Sequence, residues 1–140
     1  MEKVAIFEKV SVEQFKKDLK DCGLFLENEE ELLEELLLPS RATVGSAGYD
    51  FRLPFYLKME PGQSERIPTG IRVRIREGWV LQIFPRSSLG FKYRLQLDNT
   101  VGIIDSDYYH AANEGHIIVK LTNHSDRVVE LKRGDRFVQG

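Results

Sequence analysis

The chain is 140 residues long, enough for one core-forming domain and too short for two. Twenty Lys and Arg against 22 Asp and Glu leave a net charge of −2, which excludes a global basic field for drawing in nucleic acid or anionic membrane. The lone cysteine, Cys22, excludes an intrachain disulfide, and no apolar run approaches the ~20 residues that span a bilayer.

The charge is unevenly spread: residues 1–40 hold 5 lysines against 11 acids, a balance of −6, and residues 41–140 hold 15 basic residues against 11 acids, a balance of +4. The larger segment is the one suited to an anion, and the expected partner is a small molecule or a protein. The start, MEKVAIFEKV, lacks the long apolar stretch of a secretory signal, so a soluble cytoplasmic protein is expected.

Residues 3–10 alternate loosely and predict a first strand. SVEQFKKDLKDCG follows with Ser11 and Gln14 at capping-box spacing, Phe15, Leu19 and Cys22 on one helical face, and Gly23 as a stop. ENEEELLEELLLP predicts a second short helix, with acids in its first turn, where the helix dipole favours them, and Pro39 barring continuation. From residue 40 the texture becomes short β-type runs broken by Gly, Pro, Asn and Asp, an all-β pattern. In GIRVRIREGWVLQIFP, Ile71, Val73 and Ile75 alternate with Arg72, Arg74 and Arg76, and Glu77-Gly78 offers a turn, so a hairpin with one buried face and three arginines on its wet face is expected. HIIVKLTN and RVVELKRGDRFVQ continue the strands.

Four segments look unlike strand filler. In SAGYDF, Ala47 and Gly48 permit close backbone approach beside Asp50. PRSSLG, Pro85 to Gly90, offers a turn in which Arg86, the hydroxyls of Ser87 and Ser88, and backbone amides suit a phosphate, although a plain proline-initiated turn explains it equally. DNTVG followed by IIDSDYY predicts a hairpin whose apolar run is buried on one face. Strand alternation would then aim Asp105 and Asp107 the same way, either for water activation or cation handling or as a simple closing turn. RGDRFVQG clusters Arg133, Asp135, Arg136 and Gln139.

In this order and spacing the four segments resemble the motifs of the trimeric dUTPase family, over residues 38–139: LPSRATVGSAGYDF the first motif, PRSSLG the second, NTVGIIDSDY the third and RGDRFVQ the fourth. The resemblance implies a mainly β, jelly-roll-like barrel, a homotrimer with shared active sites, and hydrolysis of dUTP to dUMP and pyrophosphate. That activity limits uracil incorporation into DNA and supplies dUMP for thymidylate synthesis. By the same resemblance Asp105 is the base for the water attacking the α-phosphorus, and Gln139 helps hold that water. Tyr108 packs on the deoxyribose and excludes a 2′-hydroxyl, while the backbone around Asn99, Ile103 and Ile104 reads uracil. Arg86, Ser87 and Ser88 bind phosphate, and Asp50 and Arg136 support the site. Mg2+ is the implied cofactor, held through the substrate phosphates and water without direct protein ligands. No direct nucleic acid or membrane partner is expected.

Residues 11–38 stand as a helical insertion within a single domain spanning 1–140. The family's fifth motif, a Gly-rich tail, is absent from the given chain, and the preferred expectation is that the sequence stops where order stops. YHAANEGHI is longer than the family's usual tight turn, and a zinc site at His110 and His116 is disfavoured by the lack of paired His ligands and by the single cysteine. Asp107 fits a turn or intersubunit bond as well as a direct role. The alternatives are a dCTP deaminase-like enzyme, which shares an RSSL segment but needs a glutamate base and lacks IDSDY, a non-catalytic nucleotide-binding regulator of the same fold, and a plain β-rich interaction domain.

Overall fold

The computed structural model describes residues 3–140. Strand β1 (Ala5–Lys9) leads to Ser11, which caps α1 (Val12–Asp21) by accepting a hydrogen bond from the Gln14 amide at 3.1 Å. The expected capping box is only half made. Gln14 Nε2 donates to Asp18 instead (3.0 Å), and the Ser11 amide donates to Glu114 (2.9 Å). Helix α2 (Glu29–Glu35) is shorter than expected because Leu36 already turns to extended backbone, ψ 130°. Extended conformation suits the approach to Pro39, since the residue before a proline is forced out of the helical region.

Both helices share the main core. Phe15 and Leu19 are fully buried and pack in the same cluster as Ile67, Ile71 and Phe51, each burial contributing about 2–3 kcal/mol. Leu33 and Leu36 cover Gly70, where a Cβ would lie 2.8 Å from Leu36 Cδ2 and φ is +78°, so only glycine suits that position.

The remaining elements in chain order are β2 (Asp50–Arg52), β3 (Leu57–Met59), β4 (Ser64–Pro68), β5 (Ile71–Ile75), β6 (Leu81–Pro85), α3 (Ser87–Tyr93), β7 (Leu95–Leu97), β8 (Gly102–Ile104), a 3-10 helix (Ser106–His110), β9 (Ile118–Asn123), β10 (Val129–Leu131) and β11 (Arg136–Gln139). They form small antiparallel sheets in the orders β1-β5, β10-β3, β2-β11-β6-β8 and β4-β9-β7. Alternating side chains from these sheets fill one core, which is the expected β-rich, jelly-roll-like architecture.

Two expected hairpins are absent. Strand β5 does bury Ile71, Val73 and Ile75, but it pairs with β1, placing Glu8 opposite Arg72 and within 3.8 Å of both Arg72 and Arg74. Opposite charges across the ladder favour that partner. The turn at Glu77-Gly78 does form, with the Trp79 amide donating to Arg76 at 3.1 Å. Trp79 and Val80 then carry the chain to a different sheet, where β6 lies between β11 and β8. Likewise β7 and β8 flank the turn at residues 98–101 yet pair with β9 and β6 respectively. Arg72 is also not a free wet-face arginine. Its guanidinium stacks 3.7 Å above the Tyr109 ring, and Nη2 donates to the Tyr109 carbonyl at 2.9 Å.

Candidate active site

Three of the four motifs converge through backbone pairing. Strands β2 and β11 pair with Asp50 opposite Gln139, and beyond them Tyr49 and Gly140 exchange two backbone hydrogen bonds at 2.8 and 3.0 Å. Strand β11 also pairs with β6, setting Val138 opposite Pro85, and the Arg86 amide donates to the Phe137 carbonyl at 3.1 Å. Arg86, Ser87 and Ser88 therefore sit at the end of β6, beside the strand that carries Arg136 and Gln139. PRSSLG is not the expected turn, since Arg86 is the extended residue that opens α3 and leaves Ser87 and Ser88 exposed in the first helical turn. Buried Asp50 pairs with Arg136 at 3.6 Å, and the Gln139 side chain lies on Gly48, where a Cβ would stand 3.0 Å from its Oε1. Arg133 pairs instead with Glu35 at the end of α2.

The third motif lies at the other end of β6. Ile104 pairs with Leu81, so Asp105 falls beside Val80, six residues before Arg86. At ~3.3 Å per residue that is a separation of about 20 Å within one chain. The apolar run preceding Asp105 meets the expected one-sided burial only in part: Ile104 packs half-buried against the core, and Ile103 is 52% exposed. Strand β8 is the edge of its sheet, so one side of its backbone faces no strand neighbour among the described residues. Asn99 is exposed in the turn before it, and its carbonyl accepts from the Val101 amide at 2.8 Å. Asp105 and Asp107 do not alternate along a strand either. Asp105 is the extended residue that opens the 3-10 helix, and Asp107 lies in that helix's first turn.

Two hollows flank this arrangement. One, of about 720 Å³, is lined by Asp105, Ser106, Asp107, His110, Trp79 and Val80. The other, of about 1000 Å³, includes Arg41, Tyr49, Phe84, Gln139 and again Trp79 and Val80 in its wall. Trp79 and Val80, 55% and 45% exposed, form the apolar ridge common to both.

Sequence reading missed the residues that shape the segment after Asp105. Tyr108 donates its hydroxyl proton to the His116 carbonyl at 2.6 Å and accepts from Asn113 Nδ2 at 2.9 Å. His116 is wholly buried. Its Nδ1 lies 2.6 Å from Asp18 Oδ2, and its Nε2 accepts from the Gly70 amide at 2.8 Å. Both ring nitrogens are thus engaged within the protein. Burial pushes the His116 pKa below its ordinary value, and the Asp18 carboxylate opposes that only in part. For Glu114, burial acts upward but the two hydrogen bonds from Ser11 outweigh it, and its pKa is lowered. Tyr109 donates to Glu8 at 2.8 Å, a bond to its neutral form that raises its pKa. The Asn-Glu-Gly string does signal a turn, but nothing local points to Asp18, 98 residues before His116.

Comparison with known proteins bears on these same motifs. The family model described as dUTPase matches residues 34–139. The chain is 41% identical over 104 residues to the deoxyuridine 5′-triphosphate nucleotidohydrolase of Lactococcus lactis subsp. lactis, covering 74% of this chain and 69% of that one. Among solved structures, the dUTPase from Streptococcus mutans superposes with a TM-score of 0.70 at 36% identity, over 95% of this chain and 90% of that one. A dUTPase from phage phi11 of S. aureus shares the fold at 23% identity, with a TM-score of 0.63 over 77% of this chain and 84% of that one. No helix among the described residues is long and apolar enough to cross a membrane. With the family model spanning motifs that the sheets bring into register, the chain belongs to the dUTPase family.

Proposed function

We propose that the chain is a dUTP pyrophosphatase, hydrolysing dUTP to dUMP and pyrophosphate, and that it acts in the cytoplasm as a homotrimer. The relatives named deoxyuridine 5′-triphosphate nucleotidohydrolase support the reaction. The observation that carries the assembly is the ~20 Å between Asp105 and Arg86 along β6. Reacting groups must converge to about 3.5 Å, so one chain's Asp105 and its own Arg86 cannot serve the same phosphorus. A neighbouring copy that sets its Arg86 end against the Asp105 end of the first completes a site, and a closed ring satisfies every copy equally.

In this reading the open backbone edge of β8, near Asn99, Ile103 and Ile104, reads uracil. A backbone donor meets O4 and a backbone acceptor meets N3–H, whereas cytosine presents the opposite pattern and leaves buried groups unpaired. Tyr108 stacks on the deoxyribose. Asp105 accepts the proton of the water whose oxygen attacks the α-phosphorus, and Gln139 from the adjoining copy helps hold that water. Arg86, Ser87 and Ser88 grip the phosphate oxygens, Arg86 in fork geometry, while the bond from the α-phosphorus to the bridging oxygen breaks and pyrophosphate leaves. Asp50 holds Arg136 in place beside Gln139.

The S. aureus phage phi11 dUTPase is described as coordinating a structural Mg(II) ion. In this chain the exposed carboxylates of Asp105 and Asp107 are hard-oxygen groups suited to Mg2+ through water. When bound, the ion supplies charge neutralisation of the triphosphate and fixes one conformation for in-line attack.

Incubation with Mg2+ and, in parallel, dUTP, dCTP, dTTP and UTP, followed by chromatography, tests the reaction. Selective formation of dUMP and pyrophosphate from dUTP is expected. Ammonia with a uracil nucleotide from dCTP, or dUTP binding without any product, would overturn it.

A further inference from the structure

We propose that Asn113 and His116, anchored to α1 through Asp18, are positioning residues that fix Tyr108 and thereby set how strictly the site rejects a 2′-hydroxyl. The inference rests on the reading of Tyr108 as the side chain that packs on the sugar. A tyrosine ring excludes one oxygen atom only if it cannot retreat. On its own, a half-buried tyrosine in a one-turn 3-10 helix at the surface has freedom to do so.

The segment after Tyr108 removes that freedom. The Tyr108 hydroxyl is held from both sides, donating to the His116 carbonyl at 2.6 Å and accepting from Asn113 Nδ2 at 2.9 Å. Asn113 is itself oriented, because its Oδ1 accepts from the Gly115 amide at 3.1 Å. The chain reverses through two residues of left-handed backbone, Glu114 at φ +63° and Gly115 at φ +71°. A Cβ at Gly115 would lie 2.6 Å from the Tyr108 carbonyl oxygen, so the reversal packs directly against the residue it holds. The strained Glu114 is secured by the Ser11 amide and hydroxyl at 2.9 and 2.6 Å.

His116 transmits the anchor into the core, with Nδ1 against Asp18 and Nε2 against the Gly70 amide. A proton donor at Gly70 requires Nε2 to be the acceptor, so the ring proton sits on Nδ1 and points at the Asp18 carboxylate. The helical segment 11–38 thus reaches the sugar side of the site through two contacts, Ser11 with Glu114 and Asp18 with His116. Its place in the molecule is not only to cover the barrel.

The test compares kcat/KM for dUTP and UTP measured on one preparation, because the ratio cancels any loss of folded protein. Asn113→Asp keeps the oxygen that accepts from Gly115 and loses the donor to Tyr108. Tyr108→Phe keeps the ring and loses both hydroxyl bonds. Each is expected to lower the dUTP-to-UTP ratio, by roughly two- to tenfold for every hydrogen bond lost, with most of the change in the UTP arm. Tyr108→Ala is expected to lower it further. A wild-type ratio in Asn113→Asp or Tyr108→Phe, with Tyr108→Ala collapsed, would overturn the positioning role and leave the sugar-packing role intact. An unchanged ratio in Tyr108→Ala would overturn both.

Discussion

His116 Nδ1 lies 2.6 Å from Asp18 Oδ2, joining α1 to the segment that follows Asp105 across 98 residues of sequence. The ring is fully buried, its other nitrogen accepts from the Gly70 amide, and burial depresses its pKa below the ordinary histidine value. The unfolded chain therefore takes up this proton at a higher pH than the folded chain does. The stability it contributes is complete above pH ~6.5 and declines as the pH falls below it. Urea denaturation at pH 7.5 and 5.5 should show a lower midpoint at 5.5, and His116→Gln should flatten that dependence. Glu114, whose pKa is also lowered, adds a second loss that sets in only below pH ~4.5.

Phe15 on α1 is fully buried, packing at the Gly70 and His116 side of the barrel. Phe15→Ala should cost about 3–5 kcal/mol, measurable as a lowered midpoint in chemical denaturation. A cost below ~0.5 kcal/mol, the scale of a surface change, would mean that residues 11–38 are an appendage and not part of the core.

The two half-sites at opposite ends of β6 lead to a complementation experiment. Asp105→Asn and Arg86→Ala chains should each be inactive alone. Unfolded together at equal amounts and refolded, they should recover about a quarter of wild-type activity, because random assembly sets an intact Asp105 against an intact Arg86 in that share of interfaces. No recovery, with both chains folded, would place each site within one chain.

The elements that the sequence revealed are those set by local chemistry. Ser11 as a helix cap, the 3.6-residue spacing of Phe15 and Leu19, and the alternation of Ile71, Val73 and Ile75 each express a preference readable within a few residues. Pairing partners were not readable, because Glu8 opposite Arg72 and Asp50 opposite Gln139 are choices made between distant segments. The same limit applies at Asp105: alternation suggested a continuing strand, but the chain turns into a 3-10 helix whose tyrosines are held by Arg72, Asn113 and His116 from elsewhere. The motif order pointed to the family and its reaction. It did not reveal that the first, second and fourth motifs gather at one end of β6 and the third at the other.

The most direct measurement is dUTP turnover and dUTP binding by Asp105→Asn in the presence of Mg2+, beside the wild-type chain. Asparagine keeps the shape and an accepting oxygen but cannot take the proton of the attacking water. With Asp105 as the base, dUMP formation is expected to fall by at least about 100-fold, the low end of general-base effects, while dUTP binding persists. Turnover at the wild-type rate would contradict it.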